Sequence, residues 1–348
     1  MGHICCKNVF YVKCGWLKFY QRRIMTLSLD ETDRGLLFHL SLNGRIGITQ
    51  LADKMNISKQ MAAYRLGRLQ EQGIIKRFYA ITNIYRLRKT HYRVFIKFQN
   101  LTIEKELELK EYLVNHPKIA WVIYLDGDFD MFFVVWSENI IEFEKVYDDI
   151  MGRYGTFFQE KNFSIATRIE YLPYHFISPE APQTGASLLF GASYSYWEMD
   201  DLDKKLLNIL NRNGRESLAS LARQLNVTSK KAKARLDELI HSGIIIGFNL
   251  KVNHTLLGYV YRKVLLKLND TSRQNLEQLT AYLKRQPSII YLLKTIGPYD
   301  FEFELMTRSN EEFYNIVKDL RIRFSTNIKN LNMVIMKEEA KFEDLQLD

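Results

Sequence analysis

The sequence aligns with itself without a gap when it is shifted by 170 residues. Between positions 30 and 80, 19 of the 51 residues are identical to those found 170 positions further on. The same register continues as far as Phe143 with Phe313 and Arg153 with Arg323. Such an unbroken register indicates a duplicated unit of two modules and not a short-period solenoid. We therefore expect two similar copies within one chain.

The composition is that of a globular protein with a preference for anionic partners. Of the 348 residues, 47% are hydrophobic and 26% are charged, so each unit can bury a core. No charge-free apolar stretch reaches the length of about 18 residues that would predict a membrane span. The net charge of +9 favours nucleic acid first and acidic membrane surfaces second.

All three cysteines, Cys5, Cys6 and Cys14, lie close to the N-terminus. They form no disulfide framework, which favours a reducing compartment and a cytoplasmic location. Together with His3 they could supply four metal ligands, but their spacing matches no standard zinc pattern. We therefore predict a poorly ordered extension over residues 1–24 and no cofactor or metal. Because Met25 stands just ahead of the first recognisable element, this extension could also reflect an upstream start.

The first helix of each copy has clear boundary signals. In copy one, Asp30 with Asp33 is an acidic N-cap pattern, and leucines at helical spacing follow it. Asn43 and Gly44 are expected to end this helix with a residue that tolerates positive φ.

Two further helices and an extended wing follow. A short second helix leads into a turn at Asn56, and Ser58 is predicted to cap a third helix with a buried apolar stripe. Gly73 ends the third helix, and a wing begins at Ile74. Helix, short helix, turn, helix and wing in this order predict a winged helix-turn-helix, present twice.

The outer face of the third helix carries the candidate DNA contacts. In copy one these are Ser58, Lys59, Gln60, Tyr64, Arg65 and Arg68, with Lys76 and Arg77 on the wing; in copy two they are Ser229, Lys230, Lys231, Lys233 and Arg235. Lysine and arginine neutralise phosphates, while arginine, glutamine, serine and tyrosine can also reach base edges in the major groove. The alternative is an ordinary solvated charged face, but its repeated position after an Asn-containing turn favours duplex DNA as the partner.

The two copies differ in charge at this face. Copy two has Asp237 and Glu238 late in the helix, and Ile246 with Gly247 on the wing, where copy one carries cations. Acidic groups near phosphates oppose binding, so we predict that copy one is the stronger DNA contact and that copy two is partly degenerate.

The second half of each copy predicts a β-α-β-β-α-β unit of ferredoxin-like, α+β type. The predicted elements cover 94–98, 104–115, 121–125, 131–136, 141–153 and 162–169 in copy one, and 264–268, 274–285, 290–294, 301–306, 311–324 and 329–336 in copy two. Such a unit leaves one sheet face uncovered, so these modules are expected to pair. The turn at 127–130 also has an ordinary interpretation as a glycine-aspartate hairpin turn.

These features predict the division of the chain. The predicted segments are an extension (1–24), a winged helix-turn-helix (25–85), an α/β module (90–171), a proline-, glycine- and serine-rich linker (172–197), a second winged helix-turn-helix (198–255) and a second α/β module (259–341). The aromatic end of the linker, 190–197, could pack against a domain.

The sequence resembles the Lrp/AsnC family of feast/famine regulators over about 29–170 and 199–340. The resemblance is carried by Leu29-Asp30, Asp33, Asn43-Gly44-Arg45, Leu51-Ala52, Ser58, Arg65, Leu69, Gly73-Ile74-Ile75 and Gly127-Asp128-Phe129-Asp130. It implies a transcription factor whose sensor modules, called RAM domains, pair through their sheets. Because of the duplication, such a protein could act as a homo-oligomer or as an intrachain pseudo-dimer.

The resemblance also implies a site for an amino acid or a similar small molecule. In copy one it would lie near Gly127, Asp128 and Asp130. In copy two, Gly297 and Asp300 match the family pattern, but a proline replaces the first aspartate, which puts effector binding there in doubt.

Two alternatives remain from the sequence. Siroheme decarboxylases, which are tetrapyrrole enzymes, resemble the same family and would be expected to carry a histidine beside the third sensor strand. The seven histidines are His3, His39, His91, His116, His175, His241 and His254, and none lies on that loop. A sensor or scaffold without a DNA role is the other alternative, which the basic third helix of copy one disfavours. With no nucleophile triad or phosphate-binding loop in the pattern, we predict a protein that is not an enzyme.

Overall fold

The computed structural model describes residues 28–182, 187–191, 195–342 and 347. The predictions for residues 1–24, including His3 and the three cysteines, lie outside the described residues. The first copy consists, in chain order, of α1 (Glu31–Leu42), α2 (Ile48–Met55), α3 (Lys59–Glu71), β1 (Ile75–Thr82), β2 (Thr90–Phe98), α4 (Ile103–Asn115), β3 (Ile119–Gly127), β4 (Met131–Ser137), α5 (Ile140–Tyr154) and β5 (Phe158–Tyr171).

The same order of elements returns in the second copy. A short strand, β6 (Leu188–Gly191), precedes it; then come α6 (Asp201–Arg212), α7 (Leu218–Leu225), α8 (Ser229–His241), β7 (Ile245–Val252), β8 (Val260–Leu268), α9 (Arg273–Lys284), β9 (Ile289–Ile296), β10 (Phe301–Thr307), α10 (Asn310–Arg323) and β11 (Ile328–Lys341). The predicted α+β fold, with two helix-turn-helix domains and two β-α-β-β-α-β units, is confirmed. Among the described helices, none is both long and apolar enough to cross a membrane.

The helix starts follow the capping chemistry of the sequence. The Asp30 carboxylate accepts a hydrogen bond of 2.8 Å from the backbone N–H of Asp33, which satisfies one of the unpaired donors at the start of α1. Ser58 caps α3 in the same way through a bond of 3.1 Å from the backbone N–H of Met61. Asn56 adopts a left-handed conformation (φ 50°) and turns the chain between α2 and α3.

The predicted reason for the end of α1 is wrong. Asn43 has φ −152°, and Gly44 does not lie in the positive-φ region. A Cβ atom on Gly44 would instead lie 2.7 Å from the backbone oxygen of Asn249 in the second copy. Glycine is therefore present because another backbone approaches closely, and not because a turn requires it.

The two wings pair with each other. Strand β1 runs antiparallel to β7, with Phe78 opposite Leu250, and the two form a separate two-stranded ribbon. The backbone N–H of Asn83 donates to the Ile244 carbonyl oxygen at 2.8 Å, and that of Asn253 donates to Ile74 at 2.8 Å. We call this pair of strands the wing ribbon. It joins the two headpieces, where a headpiece is the three helices and the wing strand of one copy.

Eight of the nine remaining strands close into an antiparallel barrel. The ring order is β2-β4-β3-β11-β8-β10-β9-β5, and β5 pairs again with β2 to close it. The last strand of each copy reaches into the other, because β5 also pairs with β9 and β11 also pairs with β3. The sheet faces that each unit leaves uncovered thus meet in the barrel interior, and closure pairs both edges of every strand within this ring of eight.

The segment between the copies contributes to the packed interior. Leu172, Phe176, Ile177 and Phe190 are buried, and β6 pairs antiparallel with β5. Its apolar and aromatic side chains bury enough surface to hold the segment against the barrel. The described residues of 172–197 therefore do more than connect the copies.

Candidate nucleic-acid interface

Helix α3 presents an exposed polar face opposite its buried stripe. Ala62 and Leu69 are fully buried, whereas Lys59 and Gln60 are exposed and the Tyr64 side chain is 66% exposed. These three exposed groups lie within the first half of the helix. They offer a cation, an amide and a phenol to a groove or a phosphate backbone.

The two arginines predicted on this face are held by acidic residues of α1. Arg65 bonds Asp30 at 2.6 Å and Asp33 at 2.9 Å, and Arg68 bonds Asp33 at 2.5 Å. The hydrogen bond from Arg65 is the main reason why the pKa of Asp30 lies below its usual value. These ion pairs fix the position of α3 against α1 and neutralise much of the arginine charge.

The second copy uses a similar clamp but leaves more lysine exposed. Arg235 pairs with Asp200, with Asp203 at 3.5 Å and with Glu238 at 2.8 Å. Lys230 and Lys231 are exposed at the start of α8.

Neither Lys230 nor Lys231 has an ion-pair partner among the described residues, whereas Lys233 pairs with Asp237 at 2.5 Å. Thr228 caps α8, and Ser229, the first residue of the helix, is exposed. The greater contribution of copy one to DNA binding stays a prediction. The acidic partners of Arg65 and Arg68 reduce the positive charge on which this prediction depends.

The two cations predicted on the first wing lie on the barrel side of the wing ribbon. Lys76 lines a cavity together with Tyr261 and Glu304. Arg77 donates a hydrogen bond of 3.0 Å to the backbone oxygen of Phe342 and lies over its ring. The structure therefore does not bring these cations together with the exposed face of α3, because β1 is committed to the wing ribbon.

A reciprocal contact that the sequence analysis missed fixes the two headpieces to each other. Arg45 donates hydrogen bonds of 2.6 and 2.8 Å to the backbone oxygens of Gly214 and Glu216, and Arg215 donates one of 2.8 Å to Gly44. We call these contacts the arginine clasp. The repeated Asn-Gly-Arg motif is the sequence signal of this contact, although its asparagine and glycine by themselves predict only a helix end.

The glycines of the predicted effector loops lie where the two copies meet. A Cβ atom on Gly127 (φ 129°) would lie 2.7 Å from the Met333 backbone oxygen, and one on Gly297 (φ 148°) would lie 2.9 Å from that of Phe163. Asp128 accepts a hydrogen bond of 3.2 Å from the Met333 backbone N–H. Both loops thus rest on the last strand of the other copy.

The aspartates of these loops have structural partners. Asp130 accepts a hydrogen bond of 2.7 Å from the backbone N–H of Phe98 and pairs with Lys97 at 2.9 Å. Asp300 makes the equivalent contacts in the second copy. Both carboxylates therefore lock the hairpin turn, in line with the ordinary interpretation of this motif. No cluster of three or more potential metal ligands occurs among the described residues.

Comparisons with known proteins place this geometry among transcription regulators. A family model described as winged helix-turn-helix DNA-binding matches residues 29–76, and a model of the AsnC-type helix-turn-helix domain matches residues 199–240. The chain is similar to the proline dehydrogenase transcriptional activator of Rhodobacter capsulatus, with 33% identity over 35% of this chain and 80% of that protein. It is also similar to an uncharacterised HTH-type transcriptional regulator of Pyrococcus abyssi, with 28% identity over 42% of this chain and 99% of that protein.

Among solved structures, the siroheme decarboxylase NirDL resembles both copies together. The TM-score is 0.60 at 12% identity, and the match covers 91% of this chain and 96% of that one. At this level of identity the likeness shows the fold alone. The chemistry of that enzyme is therefore a property of that protein and gives no support to an enzymatic role here.

Proposed function

The chain belongs to the Lrp/AsnC family of DNA-binding transcription regulators, and from this we propose that its two headpieces bind two DNA half-sites as a pseudo-dimer within one chain. One observation carries the proposal: the arginine clasp and the wing ribbon hold together two third helices that both carry exposed lysines in their first turn. In single-unit relatives such an arrangement requires two chains, whereas the duplication supplies both halves here. The protein would work in the cytoplasm, because its three cysteines form no disulfide framework and therefore fit a reducing compartment.

The residues proposed to contact DNA divide into two groups. Lys59, Gln60 and Tyr64 on α3 and Lys230 with Lys231 on α8 are exposed, and they would approach phosphates and base edges. Ser58, Ser229 and Lys233 lie beside them. Arg65, Arg68 and Arg235 act chiefly by holding the helices in position, since acidic neighbours engage them.

The proposed effector is an amino acid or a similar small molecule that acts at the loops 127–130 and 297–300. Two facts support this location: the resemblance to the family, and the contact of each loop with the last strand of the other copy. A ligand there could change how the copies are held together. Because Asp130 and Asp300 already lock their turns, the backbone of the loops and Asp128 are the groups proposed to face the ligand.

Selection of bound sequences from random duplexes tests the proposal, using the purified full chain with and without a panel of amino acids. We expect enrichment of a site with two half-sites and affinity that falls steeply between about 50 and about 200 mM salt, as phosphate contacts require. An unchanged pattern in the presence of every amino acid would exclude the effector but leave the DNA role intact. Absence of salt-sensitive retention of any duplex would refute the DNA role.

A further inference from the structure

A cavity of about 240 Å³ lies where the wing ribbon covers one end of the barrel. Seven of its 20 lining residues are aromatic: Tyr79, Trp121, Tyr171, Tyr174, Tyr261, Tyr291 and Phe342. For comparison, a cavity of roughly 150 Å³ is large enough to bind benzene. None of the residues of the loops 127–130 and 297–300 lines this space, so it is separate from the proposed effector loops.

The duplication provides an internal control for this cavity. At the equivalent place in the other copy, the space lined by His91, Trp136 and Phe190 measures only about 10 Å³. The shift of 170 residues places Trp136 at the position that Met306 occupies beside the large cavity. The Trp136 indole N–H donates to His91 at 3.1 Å, and Phe190 from β6 adds further bulk.

At this end of the barrel, large side chains thus fill one of the two pseudo-symmetric spaces, whereas the other is open. An unfilled apolar space destabilises a protein. The large side chains at the equivalent position of the first copy show that such a space can be filled. The open space is therefore a property of these particular side chains and not a consequence of the fold.

The charges around the cavity indicate which ligand fits. At the inner side of the cavity, the Glu304 carboxylate accepts a hydrogen bond from the Tyr261 hydroxyl and forms an ion pair with Lys263 at 2.5 Å. At its rim, Lys76 and Lys337 are exposed and have no ion-pair partner among the described residues. The carboxylate of Glu304 thus already has partners, whereas the ammonium groups of Lys76 and Lys337 lie beside the aromatic wall.

The other charged groups at the rim are already neutralised. Lys251 pairs with Glu339, and Lys110 pairs with Glu338. The half-buried His254 ring lies 5.5 Å from that of Tyr261. Burial is the main cause that lowers the pKa of His254 to about 4, and Lys76 and Lys251 lower it further, so this ring adds no charge to the rim at neutral pH.

We propose that this cavity binds a small monocarboxylate with one aromatic ring, such as an aryl acetate or an aryl 2-oxo acid. The ring lies among the tyrosines, and the carboxylate meets Lys76 and Lys337. Because the wall combines both strands of the wing ribbon with strands from both copies of the barrel, the ligand bridges the DNA-binding and sensor parts. Binding in this cavity does not depend on the DNA role.

Calorimetric titration of the full chain without DNA tests the site, with phenylpyruvate and indole-3-acetate as probes and indole-3-acetamide as the uncharged analogue. We expect saturable binding of at least one acid. The double variant Lys76→Gln/Lys337→Gln should weaken acid binding roughly tenfold, the effect of one or two exposed charge contacts, and leave the amide unchanged. Lys318 is an exposed lysine on α10 that does not line the cavity. Lys318→Gln is therefore the matched control and should change nothing.

A second variant fills the cavity. Met306→Trp copies Trp136, which fills the equivalent space of the first copy, and it should abolish binding while the chain still unfolds cooperatively on heating. No binding of either acid by the wild type, or equal acid binding by the double lysine variant, overturns the proposal; so does full binding by a folded Met306→Trp chain. If Met306→Trp does not fold, the lysine variant decides. A chain that binds the acid but no DNA would refute the regulator role and leave this site in place.

Discussion

Arg45 donates a hydrogen bond of 2.6 Å to the backbone oxygen of Gly214, and its counterpart Arg215 returns one of 2.8 Å to Gly44. Each guanidinium also lies over an aromatic ring of the wing ribbon, Arg45 over Phe248 and Arg215 over Phe78. Both arginines are partly buried, and this burial lowers the pKa of each guanidinium. The repeated Asn-Gly-Arg motif therefore sets the relative position of the two headpieces.

Gly44→Ala should destabilise the chain. The new Cβ would lie 2.7 Å from the backbone oxygen of Asn249, and backbone cannot move aside as a side chain can. We expect a loss of about 1–3 kcal/mol in the free energy of unfolding, as for other overpacked positions, measured by urea denaturation.

Gly152→Ala is the matched control for that substitution. A Cβ on Gly152 meets nothing within 4 Å, and the residue is exposed on α5. Alanine should stabilise this helix by up to about 1 kcal/mol. If the two variants had equal stability, close approach would not be the reason for glycine at position 44.

The lysines at the start of the third helices should determine the salt dependence of DNA binding. Each phosphate contact contributes about 0.9 to the slope of log affinity against log salt. Lys59→Gln should therefore reduce the slope by about 0.9, and Lys230→Gln/Lys231→Gln by about twice that amount. Fluorescence anisotropy with a selected duplex over a salt series measures both.

Lys318→Gln serves again as the control, because it lies outside both headpieces. A larger effect of Lys59→Gln than of the double variant would favour the sequence-based prediction that the first copy dominates. Unchanged slopes in all variants would show that α3 and α8 do not lie against phosphates.

Local sequence patterns predict the helix caps and the order of helices and strands in this molecule. The acidic cap at Asp30, the serine cap at Ser58 and the apolar stripe of α3 all have their expected structures, because they depend on neighbours within one or two helical turns. The strand and helix order of both sensor units follows from the same short-range periodicity.

Partners distant in sequence were not predictable in this way. The apolar run in β1 indicates a buried strand, but not that β7 of the other copy is its neighbour. The charge of Arg65 indicated a solvent- or DNA-facing group, whereas Asp30 and Asp33 bind it from α1. The sequence around Gly44 predicts only a helix end, because the close approach of Asn249 leaves no signal in the flanking residues.

His254 should make stability depend on pH. Its pKa is lowered to about 4, chiefly by burial, so the folded chain keeps it neutral at pH values where the unfolded chain, with a pKa near 6.5, takes up a proton. The unfolded state then binds more protons, and stability falls as the pH falls from about 6.5 towards about 4.

His254→Gln should reduce this fall in the free energy of unfolding between about pH 7 and about pH 5, measured by urea denaturation at each pH. The fall should not disappear, because burial also lowers the pKa of His91 and His175. His241→Gln, at the exposed end of α8, is the control and should retain the full fall. A His254→Gln chain with an unchanged pH dependence would contradict the assignment.

A charged cluster lies in the barrel interior, and its members come from both copies. Arg93 of β2 pairs with Glu302 of β10, and Lys263 bonds Glu302 at 3.2 Å and Glu304 at 2.5 Å. All four side chains are at most 1% exposed. The first copy has Phe132 where the second has Glu302, so the two acids sit on one side of the pseudo-symmetric interior.

Removing one charge from this cluster should be more harmful than removing a pair. Glu302→Gln leaves the guanidinium of Arg93 buried without a counter-ion, and such a change costs about 3–5 kcal/mol. Arg93→Met with Glu302→Leu removes both charges and leaves Lys263 with Glu304, so its stability should lie close to that of the wild type or above it. Urea denaturation of the three proteins at neutral pH measures the order. If the double variant were as unstable as Glu302→Gln, the pair would contribute net stability to the barrel, and the desolvation of its charges would not be the controlling factor.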